Sequence, residues 1–428
     1  MAGHDAGERA DRDANGAASG DASTAAEAVA RRSYGKLIAY LSARTRDVAG
    51  AEDALSEAFA AALADWPAHG IPRTPEAWLL TVARRKLIDS ARRTQSGVAA
   101  ADVMQLIREL AEADQDAAHI PDDRLRLMFA CAHPAIDRGV RAPLMLQVIL
   151  GFDAAAIASA FLVAPAAMGQ RLARAKNKIR QAGIPFRVPE HDELRERLDV
   201  VLDAIYAVYA EGWTDPLGTE TRRRNLAEEG IWLGRLVVSL LPDAPEALGL
   251  LALMLHTEAR RGARRDAAGE YVPLAEQDVA LWDQAMIDQA ETLLFRASAM
   301  QVIGRYQLEA AVQSAHVVRR RSGSADWAAI ESLYDALLAL TGSPVVAINR
   351  AVALAETRGP QAGLAAMDAL AGDARLADYQ PYWAARAGLL SRCGAHEEAD
   401  QAFARAIGLE ADPAVRRFLQ RQREALGR

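Results

Sequence analysis

The stretch DAAAIASAFLVAPAAMGQRLARAKNKIRQA, residues 153–182, decides how the first half of the chain is read. Ile157, Ala158 and Phe161 recur at helical spacing, Leu162-Val163-Ala164 reads as a turn, and Pro165 stands where a second helix would take its first residue. On that second helix Met168, Leu172, Ala175 and Ile179 make an apolar stripe, while Arg171, Arg174 and Lys178 fall on the opposite side. With small Ala158 at the crossing, the pair has the form of a helix-turn-helix, whose second helix turns its cations to the major groove. Any short helix pair in a bundle can copy this form, so the stretch alone leaves both readings open.

Working outward, the charges are sorted. The 428 residues carry 50 Lys+Arg against 57 Asp+Glu, a formal charge of −7. Residues 1–189 hold 24 basic and 22 acidic residues, whereas 190–428 hold 26 and 35, so only the first part is suited to meeting nucleic acid over a broad surface. From Asp47 to Pro72 there are five acids, Asp47, Glu52, Asp53, Glu57 and Asp65, and no Lys or Arg. In 84–93, Arg84, Arg85, Lys86, Arg92 and Arg93 face a single Asp89, and from Ala154 to Pro189 six cations stand without an acid. A charge run is usually a solvated helix face. Two basic helices flanking an acidic spacer shift the balance toward a binding role.

The elements predicted are helices almost throughout, because Ala and Leu are abundant, β-branched alternation is scarce, and apolar residues recur three and four apart. Blocks fall at about 25–46, 50–66, 74–93 and 102–115, then 122–131, 138–151, 154–162 and 165–182. The loop PAHGIPRTP, 67–75, carries His69 and Arg73 between Trp66 and Trp78. Aromatics beside cations suit unstacked single-stranded bases. As isolated residues, the two tryptophans equally suit a core. Beyond 190, Gly359 and Gly394 stand 35 residues apart between paired helices, with Ala399, Phe403 and Ala406 on the second helix of the later pair. That matches the period of a tetratricopeptide repeat, against a plain helical domain as the alternative.

Other chemistries find little support. The two cysteines, Cys131 and Cys393, build neither a disulfide framework nor a four-thiolate zinc site, and a reducing cytoplasm fits best. Cys131 and His133 suit helix-end packing better than metal binding. His396-Glu397-Glu398 starts like a zinc-protease helix but has Asp400 where the second His is needed. Asp5, Glu8, Asp11 and Asp13 oppose a secretory signal, and Val148–Gly169, interrupted by Asp153 and Pro165, opposes a membrane span. No catalytic residue, metal or cofactor is expected.

Residues 34–93 resemble region two of bacterial sigma factors of the extracytoplasmic-function (ECF) class, through AEDALSEAF (51–59) and PEAWLLTVARRKLIDSARR (75–93). Residues 122–186 resemble region four through DDRLRLMFACAHPAI (122–136), AAIASAFLVAPAAMGQRLARAKNKIR (155–180) and AGIPFRVP (182–189). LLPDAPEALGLLALMLH (240–256), GRYQLEAAVQSAH (304–316) and SPVVAINRAVALAE (343–356) resemble the subgroup with a long helical C-terminal extension. The resemblance implies an all-α protein: a disordered tail (1–24), region two (25–96), an acidic linker (97–121), region four (122–189) and a tetratricopeptide-like regulatory domain (190–428). It implies core RNA polymerase, through β′ and β, and promoter DNA as partners, with a regulatory protein or peptide at the C-terminal domain and no membrane.

Carried onto this sequence, Asp53, Glu57 and Phe59 would meet the polymerase. Trp78, Arg84, Arg85 and Lys86 would meet the minus-ten strand, and Gln170, Arg171, Arg174 and Lys178 the minus-35 duplex. Ser56 stands where a Gln is usual, Arg85 where many members have Asn, and Leu162 and Ala164 where Gly and a capping Ser are common. The alternative is a helix-turn-helix regulator with a tetratricopeptide-like sensor domain that forms no holoenzyme. Such a regulator has no need of the acidic helix.

Overall fold

In a computed structural model the described residues are 4–93, 122–161, 163–213, 221–319 and 323–427. Among them the elements are helical, and the one extended pairing is an isolated bridge between Arg265 and Tyr271. The expected linker 97–121, the helix at 102–115 and Leu162 lie outside the described residues.

Helix α1 spans His4–Thr45, α2 Val48–His69 and α3 Pro75–Arg93. The backbone read as a tail is helical from His4 onward, in keeping with its alanines. Asp47 starts α2 by accepting from the Gly50 N–H at 3.2 Å. The helix runs through Pro67 for one more turn before Gly70, at φ 84°, ends it. Leu37, Ile38, Leu41, Leu55, Leu79 and Trp66 fill the core of this three-helix group.

A second group follows: α4 (Arg124–Cys131), α5 (Arg138–Leu150), α6 (Ala154–Ala160) and α7 (Pro165–Gln181). Helix α7 buries Met168, Leu172, Ala175 and Ile179, the four residues of the expected stripe. Ala164 caps it with no side-chain hydrogen bond. That forgoes about 1 kcal/mol relative to a Ser or Asp cap, partly offset by Pro165 in the first turn.

The two groups press against each other where Gly35 of α1 meets α5. A Cβ at Gly35 would stand 2.1 Å from the Ile149 carbonyl oxygen, so only glycine admits this crossing. Helix α8 (His191–Trp213) belongs with the same unit, which comprises 1–212 and 225–229, although the sequence boundary at 190 assigned it to the extension. Among its links, Arg197 Nη2 donates to the Phe129 carbonyl at 3.1 Å, and Arg138 lies 3.7 Å from Asp203.

The second unit comprises 213–224 and 230–428. After α9 (Thr221–Leu240), helix α10 (Pro245–Glu258) is buried from Glu246 to His256. The Glu246 carboxylate accepts from the backbone N–H groups of Tyr306 (2.9 Å) and Gln307 (3.2 Å), capping a neighbouring helix whose dipole favours the buried charge. Helices α11 (Gln284–Ala299), α12 (Arg305–Val317), α13 (Trp327–Thr341) and α14 (Pro344–Arg358) continue the array.

The chain then closes with α15 (Pro360–Asp368), α16 (Gln380–Arg392), α17 (His396–Leu409) and α18 (Pro413–Glu424). Gly359 and Gly394 turn the α14–α15 and α16–α17 hairpins at φ 91° and 77°, a region open to glycine. Ala399, Phe403 and Ala406 are buried in the second of these hairpins.

Candidate polymerase and promoter interface

The acidic helix α2 divides by face. Asp53 and Glu57 are exposed and Phe59 is half-buried, while Glu52, one position before Asp53, is turned inward and 8% exposed. Glu52 Oε2 meets Lys176 Nζ of α7 at 2.6 Å. One turn away in α7, Arg180 Nη1 lies 3.2 Å from the Asp47 carboxylate that caps α2. Burial pushes the Glu52 carboxyl above its usual range, Lys176 pulls it back through hydrogen bond and charge, and neighbouring Asp53 adds to the rise. Burial, and then the Glu52 charge, likewise raises Tyr34 and the thiol of Cys131.

Helix α7 therefore uses its cations in two ways. Lys176 and Arg180 are tied to the acidic helix. Gln170, Arg171, Arg174 and Lys178 are exposed on the side away from the apolar stripe, and Arg174 Nε reaches back to the Gln170 carbonyl at 3.3 Å. Arg171, Arg174 and Lys178 line one open groove of about 550 Å³, with Ile136, Asp137 and Val140 opposite. Among the described residues no carboxylate stands within ion-pair distance of these three cations. Such a row can neutralise successive phosphates and reach base edges.

The residues expected at the minus-ten element do not share one surface. Trp78 is half-buried and meets Trp66 edge-on, with ring centroids 5.6 Å apart. Trp66 itself is a core residue. Arg85 is exposed, and Lys86 pairs with Glu57 at 2.8 Å, joining a residue expected at the polymerase to one expected at the DNA. Arg84, expected at the minus-ten strand, is instead buried: it is 6% exposed, and its Nη2 donates to the Tyr40 hydroxyl at 2.6 Å. Arg44 covers the same ring at 3.5 Å. Arg84 thus anchors α3 to α1 from inside, where no DNA strand can reach it.

Glu52, Lys176, Arg180 and Tyr40 make contacts that the sequence alone does not assign to them. Complementary charge runs in α2 and α7 were the available signal for the first three. His133 accepts from the Ala135 N–H at 3.2 Å, an acceptor role in the turn after α4. No described helix is long and apolar enough to cross a membrane.

The Sigma-70 region 2 family matches residues 29–97, which are α1 from its middle onward, α2 and α3. A family of unknown function, DUF6596, matches residues 197–298, from α8 to the end of α11. Residues 29–97 are thus a sigma-70 region 2 segment, which supports a sigma-factor-like role in promoter recognition involving RNA polymerase core and promoter DNA. It is 39% identical over 401 residues to an uncharacterized protein of Rhizobium meliloti (strain 1021), covering 92% of this chain and 93% of that one, and the two belong to one family. No solved structure matches.

Proposed function

We propose that the chain is an ECF-type sigma factor that forms holoenzyme with core RNA polymerase and directs initiation at its own promoters. The observation that carries the reading is the unneutralised row Arg171, Arg174 and Lys178 on a helix-turn-helix, in a chain that also matches Sigma-70 region 2. In this reading Asp53, Glu57 and Phe59 of α2 meet the β′ and β side of the polymerase. Trp78, Arg85 and Lys86 meet the minus-ten strand, and Gln170, Arg171, Arg174 and Lys178 the minus-35 duplex. The linker 97–121 spans the two DNA-binding regions. The second unit is a tetratricopeptide-like module that regulates them in the cytoplasm and takes a regulatory protein or peptide as partner.

The ion pairs between α2 and α7 give this reading a conformational step. Minus-ten and minus-35 elements are about 25 base pairs apart, roughly 85 Å of duplex. A protein whose α2 and α7 touch through Glu52–Lys176 cannot occupy both. Holoenzyme formation therefore separates them, with polymerase and DNA phosphates replacing the internal partners of the acidic and basic helices. The test is a promoter-opening assay with purified core polymerase. Opening of a bounded set of promoters supports the reading, and helix-turn-helix binding with no opening supports a regulator without holoenzyme.

A further inference from the structure

Buried polar groups without hydrogen-bond partners gather in one stretch of the second unit. His256 (both ring nitrogens), Arg265 Nε, Gln277 Oε1 and Trp282 Nε1 lie between the last turn of α10 and the start of α11. Gln277 is 5% exposed and Trp282 3%. Of these residues, Trp282 alone forms part of the wall of an open cavity of about 470 Å³, within the roughly 300–1,000 Å³ range of small-molecule sites. His316 of α12, Trp327 and Tyr334 of α13, and Val352 of α14 supply its other apolar and aromatic walls.

Among the described residues, two charged side chains line this cavity, Arg319 and Glu356, and only Arg319 lacks a counter-charge. Arg319 lines it, and its two terminal nitrogens donate to the carbonyls of Leu274 (2.6 Å) and Gln277 (3.3 Å). Those acceptors fix the guanidinium without neutralising it, and among the described residues no carboxylate lies within ion-pair distance of it. Glu356 at the rim is paired with Arg392 at 2.5 Å. The His316 imidazole, edge-on to Trp327 with centroids 5.6 Å apart, stays neutral: burial and the charges of Arg260 and Arg319 hold its pKa down to about 4. The cavity combines aromatic walls and a cation without a counter-charge.

We propose that this cavity binds a small planar organic anion, an aromatic ring bearing a carboxylate. The ring packs against Trp327, Tyr334 and His316, and the carboxylate takes the charge of Arg319. Aromatic packing supplies affinity and the guanidinium selects the anion. This goes beyond the sigma reading and does not depend on it, because the site lies wholly in the second unit.

The experiment is calorimetric titration of the full-length protein with 2-naphthoate and with its neutral counterpart 2-naphthamide. The expected result is one saturable site for naphthoate, with the amide at least about tenfold weaker. Arg319→Gln should abolish that preference. Val352→Trp, which fills the cavity from α14 without touching the arginine, should abolish binding of both compounds, and a melting curve shows that it folds. Equal affinity for acid and amide, no saturable naphthoate binding, or binding unchanged in a folded Val352→Trp protein would each overturn the proposal.

Discussion

Glu52 and Lys176, 124 positions apart, form an ion pair at 2.6 Å with only 11% and 15% of their side chains exposed. They fix the acidic helix α2 to the basic helix α7, and the Asp47–Arg180 contact extends the seam. The cations that remain free on α7 are those set at 171, 174 and 178. One helix thus ties itself to α2 with one face and keeps the other exposed.

Breaking that seam should carry a pH signature. Lys176→Met removes the partner of a buried carboxylate and should destabilise the first unit by roughly 3–5 kcal/mol. Without Lys176 the folded-state pKa of Glu52 rises further above its unfolded value. Its stabilising contribution is then complete below the unfolded pKa, where the group is protonated in both states, and is lost as pH rises through the folded pKa. The melting deficit of the variant should be larger at pH 8 than at pH 5. An equal deficit at both would show that Glu52 is not the group left uncompensated.

The free face should behave as a phosphate and base reader. Alanine at Arg171, Arg174 or Lys178 should leave melting within about 0.5 kcal/mol of the parent, since all three side chains are exposed. Each lost phosphate contact should lower the salt slope of promoter binding by about one, and a base-reading arginine should cost roughly 1–3 kcal/mol and relax sequence preference. Salt titrations of the variants on one promoter fragment check both.

Arg84 and Arg85 should separate cleanly although they are adjacent. Arg84→Ala deletes a buried guanidinium bonded to Tyr40 and should lower stability by about 1.5–3 kcal/mol. Arg85→Ala should leave stability unchanged and reduce strand opening. Thermal melts set beside permanganate footprinting of the opened region distinguish the two.

These particulars show what the sequence made legible. The stripe Met168, Leu172, Ala175 and Ile179 follows from helical periodicity alone, and all four are buried. Burial of Arg84 depends on Tyr40, 44 positions away, and nothing local separates it from exposed Arg85. The division of α7 into tied and free cations required knowing that α2 lies against it. Likewise α8 joins the first unit through Arg197 and Asp203, contacts that no composition shift near 190 records.

That membership sets where a truncation is informative. Ending the chain after Trp213 keeps α8 on the first unit, whereas ending it after Pro189 strips the Arg197 and Asp203 links. If the second unit regulates, the 213 truncation should change promoter opening in either direction while the first unit keeps its melting temperature. Unchanged opening with and without cell extract would exclude control by the extension.

A buried histidine gives the second unit its own acid response. Burial, then the charge of Arg260, holds His256 down to about 4, and Glu291, 3.4 Å away but 42% exposed, does not reverse this. With the folded pKa depressed, the unfolded chain binds the extra proton. Stability is full above about pH 6.5 and falls toward pH 4, by as much as about 3 kcal/mol. His256→Phe should flatten that part of the profile, read by denaturant unfolding at a series of pH values.

The most direct measurement is transcription from a promoter with minus-ten and minus-35 elements, using purified core polymerase, this protein and its Asp53→Lys, Glu57→Lys double variant. The expected result is initiation that requires the protein and falls at least about tenfold for the double variant, which still binds minus-35 duplex. Promoter binding by the protein without any initiation in the presence of core polymerase would contradict a sigma factor.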